Sequence, residues 1–176
     1  AIGRTSVENF NPTAATAAHW TASVISPETR AYLAGLPLIA NDPFAERCHG
    51  TLADPIWEYL DTTTAAEHHF GAQRANCSVV GHTHLPLVVW ASESGFRSVR
   101  PAPEEVIDLG AGAVCLNPGG VGQPRDGDPR ACWALLDTDA RQATFHRVPY
   151  DIATTQRLIR EAGLPAVLAA RLAIGH

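Results

Sequence analysis

The spacing of apolar and polar positions divides the chain into a helical first third and a strand-rich remainder. Asn11 followed by Pro12 is a helix start, and the Ala-rich stretch to Val24 predicts a helix over 12–24. Ser26-Pro27-Glu28 repeats the start signal, and Gly35 with Pro37 stops the second helix. Leu38-Ile39 reads as a short strand broken by Asn41-Asp42-Pro43. Asp54-Pro55 predicts a helical stretch through Ile56, Trp57 and Leu60, resumed from Thr63 to Phe70. From Cys77 onward the pattern is short apolar runs between polar or Gly-rich turns: 77–80, 85–91 with a hairpin partner at 96–100, 106–109, 113–116, 131–137 and 144–148. The stretch 151–162 is amphipathic, with Ile152, Thr155, Leu158 and Ile159 on one face; Gly163 stops it and Pro165 opens a last helix. With neither repeat nor low-complexity linker, residues 1–176 read as a single α/β (α+β) domain, a mixed or antiparallel sheet covered by helices.

Composition narrows the function classes. Of 176 residues 45% are hydrophobic and 18% charged, which excludes disorder, collagen and coiled coil. Thirteen basic against 18 acidic residues leave a net charge of −5, unlike a chain held on nucleic acid by a general basic field. No apolar run reaches the roughly 18 residues of a membrane span, and no signal-type start is visible, so a cytoplasmic protein is expected. The chain has no Met and no Lys, which suggests a removed leader or a piece of a longer chain, and a coding bias towards Arg. Cys48, Cys77, Cys115 and Cys132 form no CxxC pair and sit mostly among apolar neighbours, as free thiols do in a reducing compartment.

Three segments carry candidate chemistry. In Gly81-His82-Thr83-His84, two imidazoles at a strand end can both reach a pocket there. The pair admits two readings: ligands for Zn, Mn, Fe or Ni, or one packed and one solvated loop histidine. His49-Gly50, taken alone, reads as a structural histidine; His19, His68, His69, His146 and His176 read as surface or packing residues. The Gly-rich stretch 117–130 follows an apolar strand. Its backbone amides and Arg125 suit an anion, although it is neither a P-loop nor a dinucleotide fingerprint; a long turn between strands is the alternative.

Together, His49-Gly50, Gly81-His82-Thr83-His84 and Asn117-Pro118-Gly119-Gly120 with 123–130 resemble the bacterial and archaeal calcineurin-like metallophosphoesterases, specifically their C-terminal part. The stretches 54–60 and 147–151 resemble that group too. The resemblance implies part of a two-sheet α/β/β/α sandwich and hydrolysis of a phosphate-ester small molecule by two divalent transition metals (Mn, Fe, Zn or Ni). It implies that His49 and His82 bind one ion and His84 its neighbour, with Asn117, Gly119, Gly120 and Arg125 towards the substrate. The family's Asp-x-His, Gly-Asp and Gly-Asn-His-Asp motifs do not occur ahead of His49, and Ala1-Ile2-Gly3-Arg4 resembles the sequence just after the last of them. Further departures are Glu46-Arg47 before His49 and Gly120 where the family often has Ser. A back half that is inactive alone, completed by an N-terminal half in cis or trans and prone to homo-oligomerise through exposed edges, is therefore expected. A metal-poor binding or scaffold module and a mononuclear three-His zinc site are the competing readings.

Overall fold

The computed structural model describes residues 2–8 and 10–176; Ala1 of the 1–4 stretch lies outside the described residues. These divide into two compact units, the described residues up to 37 with 151–174, and residues 38–150 with 175–176.

The first unit is helical. Helix α1 (Pro12–Val24) is capped by the Asn11 side chain, which accepts from the Ala14 amide, and α2 (Pro27–Gly35) by Ser26, which accepts from Thr29. Both begin where the capping signals place them. The Arg30 guanidinium donates to the Ala22 carbonyl at 2.6 Å and ties the two together.

The second unit contains, among the described residues, nine strands in two sheets. Sheet A runs β1 (Ala40–Asn41), β2 (Ala45–Arg47), β3 (Cys77–Val79), β7 (Val114–Pro118), β4 (Pro86–Ser92), β5 (Gly95–Val99), with β2, β3 and β7 parallel. Sheet B is antiparallel in the order β6 (Val106–Asp108), β9 (Gln142–Val148), β8 (Ala131–Asp137). The period of two sorts the strand residues between two cores. Val88, Val114 and Leu116 meet Ile107, Ala143 and Phe145 of sheet B, while Val89 and Cys115 face Ala65 and Ala66 of α3 (Thr63–Ala72). Buried on both sides, β7 has no polar alternation to show in the sequence. The mixed α/β class and the two-sheet packing agree with expectation. All four cysteines are free thiols, Cys48 half-buried and the other three buried.

Back in the first unit, α4 (Ile152–Glu161) is capped by Asp151, and the Gln156 amide donates to Ala169 of α5 (Ala166–Ala170) at 2.8 Å. Among the described residues, no helix is long and apolar enough to cross a membrane.

Two expectations are corrected. The strand expected at Leu38-Ile39 lies instead at Ala40–Asn41, pairing with β2 around Asp42, whose carboxylate accepts from the Phe44 and Ala45 amides and pairs with Arg47. Glu46, a departure from the family pattern, lies in β2, and its carboxylate accepts from the Arg74 and Ala75 amides at 2.6 and 2.9 Å. The helix expected from Asp54-Pro55 is a run of turns. Asp54 takes the Ile56 and Trp57 amides as a cap would, but the Pro55 carbonyl accepts from Gly50 and the Trp57 carbonyl from His82, so the helical ladder cannot propagate.

A buried histidine gives the fold a pH dependence. His69 is fully buried, and burial holds its pKa down to about 4 against an ordinary 6.5. The native ring is neutral while the unfolded chain takes up a proton near 6.5, so this contribution is complete above that value and is lost as pH falls towards 4. The loss is on the order of 3 kcal/mol. Urea unfolding at pH 7, 5.5 and 4.5 should show this decline, and His69→Gln should flatten it; identical slopes would refute the assignment.

Candidate functional site

The candidate residues sit beyond the carboxyl ends of the three parallel strands, where open α/β sheets carry their sites. His49 follows β2, His82 and His84 follow β3, and Arg125 lies in the loop after β7. Their backbones are laced together: Cys48 N–H donates to Val79 O at 3.1 Å, Gly81 N–H to His49 O at 2.9 Å, and Val80 N–H to Leu116 O at 2.8 Å. Three segments remote in sequence thus meet at one edge.

The His49 and His82 ring centroids lie 4.5 Å apart. The Tyr59 ring stacks on the other imidazole at 3.9 Å, and His82 Nε2 donates to the Trp57 carbonyl at 3.2 Å. His84 Nδ1 donates to the Gln123 carbonyl at 2.7 Å, which places the lone pair of the neutral ring on Nε2. Burial lowers the pKa of His49, and the neighbouring His82 and Arg125 lower it further. Burial likewise lowers that of His82. Both rings are therefore neutral near pH 7, the form in which imidazole ligates metals.

The loop holding them is strained. His82 and His84 both adopt left-handed backbone, with φ of 61° and 59°. Such conformations cost of order 1–3 kcal/mol each and persist where surrounding contacts impose them. Asn117 does so here. It is 2% exposed, its amide donates to Gly81 O at 2.5 Å and Thr83 Oγ1 at 2.8 Å, and its oxygen accepts from Gly119 N–H at 3.0 Å. Asn117 thus braces the two loops from beneath, and the Gly119 amide is spent on it. A Cβ on Gly119 would fall 2.8 Å from Cys132 Cβ, and one on Gly120 would fall 2.9 Å from Gln123 O. Both glycines permit close approach.

Arg125 is the charged residue of the loop whose field reaches the histidines, His49 and His82. Its Nε and Nη2 donate to Gln123 Oε1 at 3.2 and 2.9 Å. Farther along, Asp126 pairs with Arg147 of β9; their side chains are 12% and 7% exposed. Asp128 binds Arg130 through both oxygens, and those hydrogen bonds lower its pKa to about 2. A cavity of about 460 Å³, large enough for a small organic ligand, borders the histidine loop at Thr83. Leu87, Val89, Phe96, Asp61 and Arg100 are among the residues that line it.

Among the described residues, no group of three His, Cys, Asp or Glu is placed to hold a metal ion. Two adjacent imidazoles beside a guanidinium offer no negative charge, so two dications do not fit these residues alone. Three supporting roles have no local signal in the sequence: the Gln123 carbonyl that holds His84, Tyr59 as the stacking partner of His82, and His69, expected as a surface or packing residue, as the acceptor of the Leu52 amide. His69 and His68 read alike, yet His68 is exposed on Glu58 while His69 is fully buried.

No family model matches the chain. An uncharacterized protein of Methanocaldococcus jannaschii is 34% identical over 182 residues, covering 99% of this chain and 71% of that protein. A hypothetical protein of Pyrococcus horikoshii OT3 shares the fold, with a TM-score of 0.73 at 19% identity over 96% of this chain and 62% of the other. The crystal structure of a metallophosphoesterase from Sphaerobacter thermophilus superposes with a TM-score of 0.88 at 45% identity, covering 99% of this chain and 72% of that one. On that identity and coverage, the chain belongs to the metallophosphoesterase family.

Proposed function

We propose that this chain, acting as one domain, supplies the imidazole ligands of a two-metal phosphoesterase centre, and that the carboxylate ligands come from residues outside these 176. The observation that carries the reading is the pairing of neutral His49 and His82, 4.5 Å apart, at the carboxyl ends of parallel strands. His49 and His82 would serve one ion (Mn, Fe, Zn or Ni) and His84 the second. In such centres the ions activate water and clamp the phosphoryl oxygens. The chain's own part is to hold the rings neutral and oriented, and to present Arg125 to the phosphate as a two-toothed donor. The 460 Å³ cavity beside Thr83 offers room for the ester's organic group. The four free thiols suit a cytoplasmic setting, and exposed sheet edges favour self-association.

The second reading is a non-catalytic module of the same fold, favoured by the lack of a convergent ligand set among the described residues. Turnover of p-nitrophenyl phosphate and its bis-ester with added manganese separates the two. The 176 residues alone should remain at background. Supplying the family's Asp- and Asn-bearing segment, in the gene or as a second chain, should bring manganese-dependent turnover. His82→Ala or His84→Ala should then abolish it, while His68→Ala should not. No turnover after complementation would favour the module. Metal-dependent turnover by the chain alone, lost on His84→Ala, would favour a mononuclear site.

A further inference from the structure

The His49 loop is held from below by one buried side chain. His69 Nδ1 accepts the Leu52 amide at 3.1 Å, and its Nε2 contacts Ser78 Oγ of β3 at 2.8 Å. An amide can only donate, so Nδ1 carries the lone pair and Nε2 the proton, which goes to Ser78. Ser78 Oγ donates onward to Gln73 Oε1 at 2.9 Å, and the Gln73 amide donates to the Ala75 carbonyl at 2.8 Å. One imidazole thus joins α3, β3 and the loop three residues beyond His49. His69 and Ser78 are fully buried, and no water can replace a lost partner without opening the core. Protonation would set a second donor against the Leu52 amide, and burial opposes it.

We propose that His69 is a positioning residue for the His49–His82 pair: by accepting the Leu52 amide it fixes the loop that aims His49 at His82. The proposal rests on the two-metal reading for its purpose, and on hydrogen bonds alone for its mechanism. It separates His69 from an ordinary packing histidine because its two nitrogens do different work. Asparagine places an oxygen near the Nδ1 position and keeps the Leu52 bond; glutamine reaches the Nε2 position and keeps only the Ser78 bond.

The test begins on the unaltered 176-residue chain. A through-hydrogen-bond nitrogen–nitrogen coupling between the Leu52 amide and His69 Nδ1 is expected by NMR, with the proton on Nε2; the opposite tautomer would overturn the proposal. His69→Gln should then speed amide exchange at Leu52 by at least tenfold and shift the His49 ring resonances, while His69→Asn should do neither. Equal effects of the two variants would show a merely structural role and overturn it. With cobalt(II) as the probe, added to the chain completed by the carboxylate-bearing segment, His69→Gln should weaken binding by about 10–100-fold, the usual effect of removing a support behind a metal ligand, and His69→Asn should restore it. If the completed chain takes up no cobalt through His49, the metal reading fails, and the exchange comparison on the 176 residues still decides the role of His69.

Discussion

Arg147→Ala is expected to destabilise the protein by about 3–5 kcal/mol, because it strands the Asp126 carboxylate without its partner. Both side chains are nearly buried, at 7% and 12% exposed, so water cannot take over the pairing. The guanidinium also reaches the Arg130 carbonyl at 3.3 Å and lies 3.8 Å from Asp128. Losing it therefore frees the far end of the loop that carries Gln123 and Arg125. Arg147→Lys should recover little, since an ammonium cannot reproduce a planar fork. Pairing the change with Asp126→Asn should return part of the loss, because the stranded charge is then gone. Denaturant midpoints of the three variants read this directly. A loss under 1 kcal/mol for Arg147→Ala would show that the pair is solvated and that the loop is held otherwise.

The two glycines beside the histidines should respond very unequally to alanine. A Cβ on Gly50 would lie 2.5 Å from the Asp54 carbonyl oxygen, 3.1 Å from that of Glu58 and 3.2 Å from the Pro55 carbonyl carbon. All three atoms are backbone, in a turn pinned by the Gly50–Pro55 bond of 2.8 Å and by Thr51, which accepts from the Asp54 amide at 3.1 Å. Relief therefore means displacing the turn that carries Trp57 and Tyr59 onto His82. Gly50→Ala should cost about 3 kcal/mol, the upper end of ordinary overpacking. A Cβ on Gly81 would meet only His49 atoms at 3.6 and 3.7 Å, which is ordinary contact. Gly81→Ala should stay within about 1 kcal/mol of the parent. Thermal melts of the two variants check the contrast; equal losses would refute it.

That contrast marks a boundary between local and long-range information. The starts of α1 and α2 are readable because a cap is settled within three residues, by a side-chain oxygen and the amide above it, while α4 shows itself by its apolar spacing. The strands from Cys77 onward were readable for a similar reason: short apolar runs ended by turn residues need no partner to be recognised. The order of β2, β3 and β7 was not readable, and neither was the turn structure of 51–60, where a capping Asp-Pro reads as a helix start. That segment's carbonyls are claimed from elsewhere, by His82 from 25 residues away in the case of Trp57.

The histidines divide along the same line. Gly81-His82-Thr83-His84 was visible as a candidate from its spacing at a strand end, and His49 from its place in a family pattern. Nothing in the chain distinguishes His69 from His68, because burial of one and exposure of the other depend on which face of α3 meets β3. The left-handed backbone of His82 and His84 and the bracing by Asn117 were equally invisible. They are imposed by contacts 36 and 39 residues apart in sequence, from Asn117 to Gly81 and from His84 to Gln123. Residue types and local start signals therefore set which groups could do chemistry. Sheet packing, by pairing β2 and β3 in parallel and burying His69 beneath their loops, set which of them face one another.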